Sequence, residues 1–407
     1  MKVSDYIVNF LEEKGVTDMF GYPGVGCGHL MDSLKNSKIA SHLVYHEQAA
    51  AFAACSYAQA CKKVGFAYST SGPGGTNLIT GISNAYCDSI PTIFIVGDKD
   101  LAAQKRDSKM RQRTSQEIDI TAITAPITKW SYQIQRPNEV RYVFEKAFHE
   151  AINGRPGPVL IDFPSDIQRA EIEPVDLKGY EVPVSPDYAR EADLVVNYLK
   201  HAKTPLILVG NGIKQAALDS SILLLSKTLN IPLVTTLMGI DMFTGEENKL
   251  GYIGLDGDAI ANLAVNNCDV LLSLGARLNF KQVCNNRQTF ATKAKVLRVD
   301  IDKHELEYGL RDEERICADV NYFVPALVEA MKDMKPYDIS WKNELIKKKK
   351  KQRQNSSLNV IADAIVEAIS MKVPAGTPVV TDTGSHRRWV MSHFRFKEEQ
   401  RLYQSSG

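Results

Sequence analysis

The sequence has no apolar run near the ~20 residues a bilayer-spanning helix needs, so no transmembrane helix is expected. It also lacks a charge excess of one sign. The 49 Lys+Arg face 48 Asp+Glu, leaving a net charge of +1, where a dedicated nucleic-acid binder shows a clear basic excess. The seven cysteines, at positions 27, 55, 61, 87, 268, 284 and 317, are odd in number, scattered and without a C-x-x-C. That excludes a disulfide frame and a cysteine-built zinc site, and fits reduced thiols of a cytoplasmic protein. The histidines form no H-E-x-x-H or similar ligand spacing, so no protein-built metal centre is expected. A G-x-S-x-G elbow and a P-loop ending are absent too, which speaks against hydrolases, kinases and ATPases. The opening Met1-Lys2-Val3-Ser4-Asp5 soon meets Glu12-Glu13, without the apolar stretch of a signal peptide.

What is present is ordinary globular composition, with 44% hydrophobic and 24% charged residues in 407 positions. At roughly 100–200 residues per domain this length suggests two or three domains. The order of elements predicts an α/β fold of doubly wound parallel sheets. Val3, Ile7, Phe10 and Leu11 follow helical spacing, with Ser4 as the candidate cap and Gly15 as the stop. Strands are predicted at 18–21, 42–45, 64–69, 91–97 and 159–164, with helices over 47–60, 77–86 and 138–153 between them. The 42–45 strand is expected to run straight into its helix, and 71–76 reads as a glycine-rich loop. Nearly continuous apolar strands suit a sheet covered on both faces. The polar stretch 171–187 reads as a linker. A second βαβ region follows, with strands at 205–209, 232–235, 270–274 and 296–300. The charged segment 336–357, with Lys347 to Lys351 and then Arg353, reads as a solvated linker or helix end. A third start is expected from Leu358: a helix to about 371, a strand at 377–381 and a helix from Ser385.

Several residues sit where ligands bind in open parallel sheets, at the carboxyl ends of strands. Glu47 follows a strand and opens a helix. By itself it reads as a first-turn carboxylate favoured by the helix dipole, or as a functional carboxyl group. The small side chains Ala49 to Ala51, Ala53 and Ala54 permit close approach and suggest that this helix lies in an interface. Ser71-Gly72-Pro73-Gly74-Gly75-Thr76-Asn77 is either a tight structural turn or a loop offering N–H groups to an anion. In the second region, Gly210-Asn211-Gly212, Gly275-Ala276-Arg277 and the acids Asp300 and Asp302 permit a dinucleotide site or a purely structural turn.

The ordered set of motifs resembles the thiamine-diphosphate-dependent enzymes typified by the acetolactate synthase large subunit. These motifs are Phe20-Gly21-Tyr22-Pro23-Gly24, His46-Glu47-Gln48-Ala49-Ala50, Thr70-Ser71-Gly72-Pro73-Gly74-Gly75-Thr76-Asn77, Asp88-Ser89-Ile90-Pro91, Arg155-Pro156-Gly157-Pro158-Val159, Gly275-Ala276-Arg277 and Asp382-Thr383-Gly384-Ser385-His386. The resemblance implies a pyrimidine-binding domain at 1–175, a Rossmann-like central domain at 186–335, and the start of a diphosphate-binding domain at 355–407. It implies thiamine diphosphate as cofactor, decarboxylation and carboligation of a 2-oxo acid, and a homodimer or higher oligomer. Glu47 matches the glutamate that hydrogen-bonds N1′ of the cofactor's aminopyrimidine, where proton sharing favours the tautomer whose 4′ nitrogen takes the thiazolium C2 proton. Tyr22, Pro23, Pro73 and Asn77 match the turn and loop around that ring. Gly24 and Val25 fall where the family's loop approaches the reacting carbon, and Gln116 matches a glutamine beside the cofactor. Ser385 and His386 match a Gln-His pair on the diphosphate.

Departures from the family pattern shape the remaining expectations. Leu278, Asn279, Phe280 and Lys281 follow Gly275-Ala276-Arg277 where the synthases carry an aromatic residue and two acids, which leaves FAD binding open. Ser115 precedes Gln116 in place of an aromatic residue. The segment 99–113 is basic, with Lys105, Arg106, Lys109, Arg111 and Arg113, and reads as a solvated loop or as a holder of an anionic substrate. The family's Gly-Asp-Gly motif and asparagine, which hold Mg2+ and the diphosphate, do not occur before Gly407. The Mg2+ ligands are therefore expected outside this chain, on a separate chain or on a continuation. A simple 2-oxo acid decarboxylase and a non-catalytic truncated chain are the alternatives.

Overall fold

The computed structural model describes residues 1–104, 109–355 and 361–404. Lys105, Arg106, Leu358 and Gly407 lie outside the described residues, as does the Arg353 side chain. The chain divides into two compact units, with the break between Pro183 and Val184.

The first unit is built on a six-stranded sheet of order β2-β1-β3-β4-β6-β5. Its strands are β1 (Asp18–Gly21), β2 (Ala40–Leu43), β3 (Gly65–Ser69), β4 (Thr92–Asp98), β5 (Trp130–Gln133) and β6 (Pro158–Pro164). Every pairing is parallel, as a βαβ chain with crossover helices on both faces dictates. β3, β4 and β6 are buried along their whole length, which accounts for their unbroken apolar runs. Helix α1 (Val3–Glu13) buries Val3, Ile7, Phe10 and Leu11 as its spacing predicts, and Gly15 closes it at φ 76°. Ser4 is not the cap. The helix already begins at Val3, and the Ser4 side chain is buried, accepting from Ser33 Oγ at 2.9 Å. α2 (Gly28–Lys35) follows the first turn.

Helix α3 (Glu47–Cys61) does not continue directly from β2, which stops at Leu43; His46 caps it instead, its ring nitrogen accepting from Gln48 N at 3.2 Å. Its buried alanines Ala51 and Ala54 pack within this unit, while Ala49 is exposed. A Cβ on Gly81 would strike Ala51, and one on Gly65 would strike the Ala54 carbonyl, so two glycines let a helix and a strand press against α3. The glycine-rich loop is shorter than expected, because the chain is already helical from Pro73: α4 (Pro73–Asn77) and α5 (Ile79–Cys87) follow each other. Proline at the first helical position, with its fixed φ, favours that early start. The expected linker also contributes to the core, since Ile172 and Leu177 are buried in the first unit.

The second unit carries β7 (Pro205–Val209), β8 (Leu233–Thr235), β9 (Lys249–Tyr252), β10 (Val270–Leu274), β11 (Lys295–Asp300) and β12 (Glu313–Cys317) in the order β12-β11-β10-β7-β8-β9. All pairs are parallel. The edge strands β9 and β12 escape sequence reading because lysine and glutamates interrupt their apolar pattern. The lysine run lies on a helix, Ser340–Asn355, whose Leu345 and Ile346 are buried in the core beside β9 and β10. Lys348 and Lys350 pair with Glu344 and Glu247. Further on, a helix at Ile361–Lys372 and β13 (Val379–Thr381) are followed by a helix at Ser385–His393 and β14 (Leu402–Gln404), which pairs parallel with β13.

Candidate functional site

In the first sheet the chain winds outward from β1 to one side and from β3 to the other. The crevice at the carboxyl ends of β1 and β3 is therefore the topological switch point, where ligands bind in such sheets. The segments leaving those two strands are Tyr22–Cys27 and Thr70–Asn77. Two predicted residues, Glu47 and Asn77, meet there beside Gly74. Glu47, only 8% exposed, is held at the start of α3, and its Oε2 accepts from Asn77 Nδ2 at 2.9 Å. Gly74 faces the other carboxyl oxygen: a Cβ there would lie 3.4 Å from Glu47 Oε1. No hydrogen bond occupies Oε1 among the described residues, so the carboxyl group is fixed through one oxygen and free at the other.

Thr70, to which the sequence reading gave no role, is the hub of this arrangement. Its Oγ1 accepts from Gly26 N at 3.1 Å, and a Cβ at Gly24 would collide with its side chain. A Cβ at Gly74 would reach 3.0 Å from its Cγ2. Gly26 lies against Gly97 at the end of β4, a Cβ on Gly26 falling 2.5 Å from the Gly97 carbonyl oxygen. The buried Gln168 completes the anchor by donating to Gly26 O at 2.7 Å and accepting from Leu30 N at 3.2 Å. Gly24 and Gly26 are therefore needed for close approach, and they leave Tyr22, Pro23 and Val25 projecting outward, Val25 87% exposed. Glycine and threonine flanking two strand ends were the available signal. Gln168, far along the chain, gave none.

Gln116 also reaches this region through its backbone. A Cβ at Gly72 would lie 2.6 Å from Gln116 O, and both residues have positive φ, 63° and 61°. Beneath these segments lies a carboxyl pair that the sequence reading passed over, Asp98 at the end of β4 and Asp162 within β6. Gln133 donates to Asp162 Oδ2 at 2.7 Å, and Gln104 donates to Asp98 Oδ2 at 3.3 Å. Burial first, and then the Asp98 charge, holds the Asp162 carboxyl well above the ordinary range. Burial likewise raises Asp98, against the Lys99 backbone N–H that lowers it. A lone acid inside each apolar strand was the signal.

Ser385 and His386 belong to the second unit, exposed at the start of their helix behind Gly384 at φ 147°. In that unit Gly210 and Gly275 lie at its own switch point, between β7 and β10. Their role is contact: Gly212 N donates to Gly275 O at 3.1 Å, and a Cβ on Gly210 would strike that same carbonyl. Asp302 caps the helix Lys303–Glu307, accepting from His304 N at 2.9 Å, and Asp300 Oδ1 accepts from Asp302 N at 3.0 Å. Among the described residues no group of three or more His, Cys, Asp or Glu is arranged to hold a metal ion, and no helix is long and apolar enough to cross a membrane. The seven cysteines are unpaired, and burial pushes the thiols of Cys27, Cys55 and Cys268 up to about 11, 12 and 12.

Two doubly wound domains, one presenting a buried carboxyl at its switch point, define a ligand-binding class of α/β protein. Residues 1–123 match the family described as thiamine pyrophosphate enzyme, N-terminal TPP binding domain, and residues 192–327 match thiamine pyrophosphate enzyme, central domain. The chain is 34% identical over 427 residues to a probable acetolactate synthase large subunit of Methanocaldococcus jannaschii, covering 100% of this chain and 71% of the relative. It is 34% identical over 416 residues to the acetolactate synthase large subunit of Corynebacterium glutamicum, covering 98% and 65%. With acetolactate synthase 1, chloroplastic, of Nicotiana tabacum the identity is 32% over 424 residues, covering 100% and 62%. The chain thus spans 62% to 71% of the length of these relatives. It belongs to the acetolactate synthase large-subunit family of thiamine pyrophosphate enzymes.

Proposed function

We propose that this protein takes part in thiamine-diphosphate-dependent decarboxylation and carboligation of a 2-oxo acid, with its first unit supplying the pyrimidine side of the site. The observation that carries this reading is the Glu47–Asn77 pair: a carboxyl group pinned through Oε2 and open at Oε1, beside a backbone kept bare by Gly74. A ring nitrogen needs such a partner, with one oxygen to share a proton and one to fix the geometry. When bound, the cofactor supplies a carbon nucleophile and an electron sink for the electrons released with CO2. Glu47 holds the proton at the pyrimidine nitrogen, and Asn77 keeps the carboxyl from rotating away. Thr70 locks the two glycine turns that shape the wall, and Tyr22, Pro23, Gly24, Val25 and Pro73 line its rim. Gln116 stands over Gly72 on the same side. Ser385 and His386 would serve the diphosphate, with Mg2+ held by ligands from outside the described residues.

The relatives named large subunits point to an assembly, and we read the working form as a cytoplasmic homo-oligomer. Incubation of the protein with pyruvate, thiamine diphosphate and Mg2+ tests the proposal, with products resolved chromatographically. Acetolactate supports carboligation. Acetaldehyde as the sole product would assign a simple decarboxylase, and no product with saturating cofactor, even when a diphosphate-binding domain of the family is supplied, would overturn the reading.

A further inference from the structure

Gln116 occupies a costly conformation. A non-glycine residue at positive φ, here 61°, is strained and persists only where its surroundings enforce it. At Gln116 the enforcement is visible on both sides. Downstream, Asp119 caps the next helix by accepting from Ala122 N at 2.9 Å, and Ile120 is buried, 3.2 Å from where a Cβ on Gly75 would stand. Upstream, the chain is closed on itself by Glu117. This residue is 5% exposed, and its Oε2 accepts from Arg113 N at 2.7 Å, Thr114 N at 2.9 Å and Thr114 Oγ1 at 3.4 Å. Arg113 then ties the loop outward, donating through Nη1 to Ala102 O at 3.0 Å and Gln104 O at 3.3 Å. A buried carboxylate is expensive unless several donors satisfy it. Here those donors are the backbone N–H groups of Arg113 and Thr114 and the Thr114 hydroxyl, so the burial of Glu117 fixes the loop that displays Gln116.

We propose that Glu117 is the positioning residue for Gln116: its carboxylate closes residues 113–117 and thereby fixes the glutamine over Gly72. This rests on the reading of Gln116 as a group facing the cofactor. The bonds from Arg113 N, Thr114 N and Thr114 Oγ1 all go to Oε2, so an oxygen acceptor of the same reach can take them.

Two measurements on the full protein test it, using the variants E117A, E117Q, Q116A and Q116A/E117A. The first is amide hydrogen exchange of peptides spanning 109–120, read by mass spectrometry without cofactor. E117A should accelerate exchange at Arg113 and Thr114, whereas E117Q and Q116A should leave it near wild type. Unchanged exchange in E117A would overturn the proposal whatever the enzyme turns over. The second is turnover of pyruvate with thiamine diphosphate and Mg2+. Misplacing a reacting group by about 1 Å costs on the order of 10²-fold, so E117A should lose kcat by about that factor while E117Q stays within a few-fold. On the Q116A background E117A should cost nothing further. An undiminished loss there would mean that Glu117 acts through the general fold, and would also overturn the proposal. A wild-type protein without turnover would count against the proposed function instead, and the exchange measurement would still decide the role of Glu117.

Discussion

Asn77 Nδ2 donates to Glu47 Oε2 at 2.9 Å, joining the first turn of α3 to the last residue of α4 across the switch point of the first sheet. The pair leaves one carboxyl oxygen unbonded at the wall that Gly74 keeps open. If that oxygen serves the pyrimidine nitrogen, Glu47→Gln should nearly abolish exchange of the cofactor's C2 proton, followed by NMR in deuterated buffer. Exchange at the wild-type rate would remove Glu47 from the proposed role.

Asn77 should matter through the same hydrogen bond. A hydrogen bond to a charged group contributes about 1.5–3 kcal/mol, so Asn77→Ala should lower turnover by roughly tenfold to a hundredfold. Asn77→Asp should be worse than alanine, because a second carboxylate raises the cost of ionising the first. Steady-state kinetics of both variants check the order.

The Asp98–Asp162 pair makes a pH prediction. The Asp162 carboxyl is raised by burial and by Asp98, so between its ordinary and its folded pKa the folded state binds more protons than the unfolded one. Stability from this group is therefore fully present below the ordinary carboxyl range and declines as pH rises through the raised value. Asp162 Oδ1 is also buried without a partner. Asp162→Asn, neutral at all pH, should raise the melting temperature at pH 7–8 by a few degrees, corresponding to about 1–3 kcal/mol. The gain should shrink toward pH 4. A lower melting temperature at pH 8 would contradict the assignment.

Thr70 acts through an acceptor and through shape. Thr70→Val keeps the shape and removes the acceptor of Gly26 N–H, at a cost of about 1–3 kcal/mol in a site this enclosed. Thr70→Ser keeps the acceptor and should cost less. Urea denaturation of both variants gives the comparison. Gly97→Ala should be more damaging than either, since its new Cβ would overlap the Gly26 backbone, which has no side chain to move aside.

Much of this was legible beforehand where local chemistry sufficed. Val3, Ile7, Phe10 and Leu11 announced a helix by spacing, and β7 and β10 were apolar enough to be placed to the residue. Glu47, Pro73 and Asn77 could be singled out because strand-to-helix junctions in parallel sheets carry ligands. β9 and β12 stayed hidden, since edge strands need no continuous apolar run. The lysine-rich helix did as well, because its place in the fold depends on two buried residues, Leu345 and Ile346, among many charges.

By itself the sequence determined the class of fold and the residue types at the switch point, since periodicity and glycine-rich junctions are local properties. Only the tertiary structure decided which oxygen of Glu47 is free, why Gly26 and Gly97 must both lack side chains, and that Glu117 closes the loop beneath Gln116. Each of these depends on a distance between segments far apart in the chain, or on how a loop closes upon itself. Asp98 and Asp162 make the same point: each is an ordinary aspartate in sequence, and their carboxyls are raised because the folded sheet buries them, with the Asp98 charge adding to the rise at Asp162.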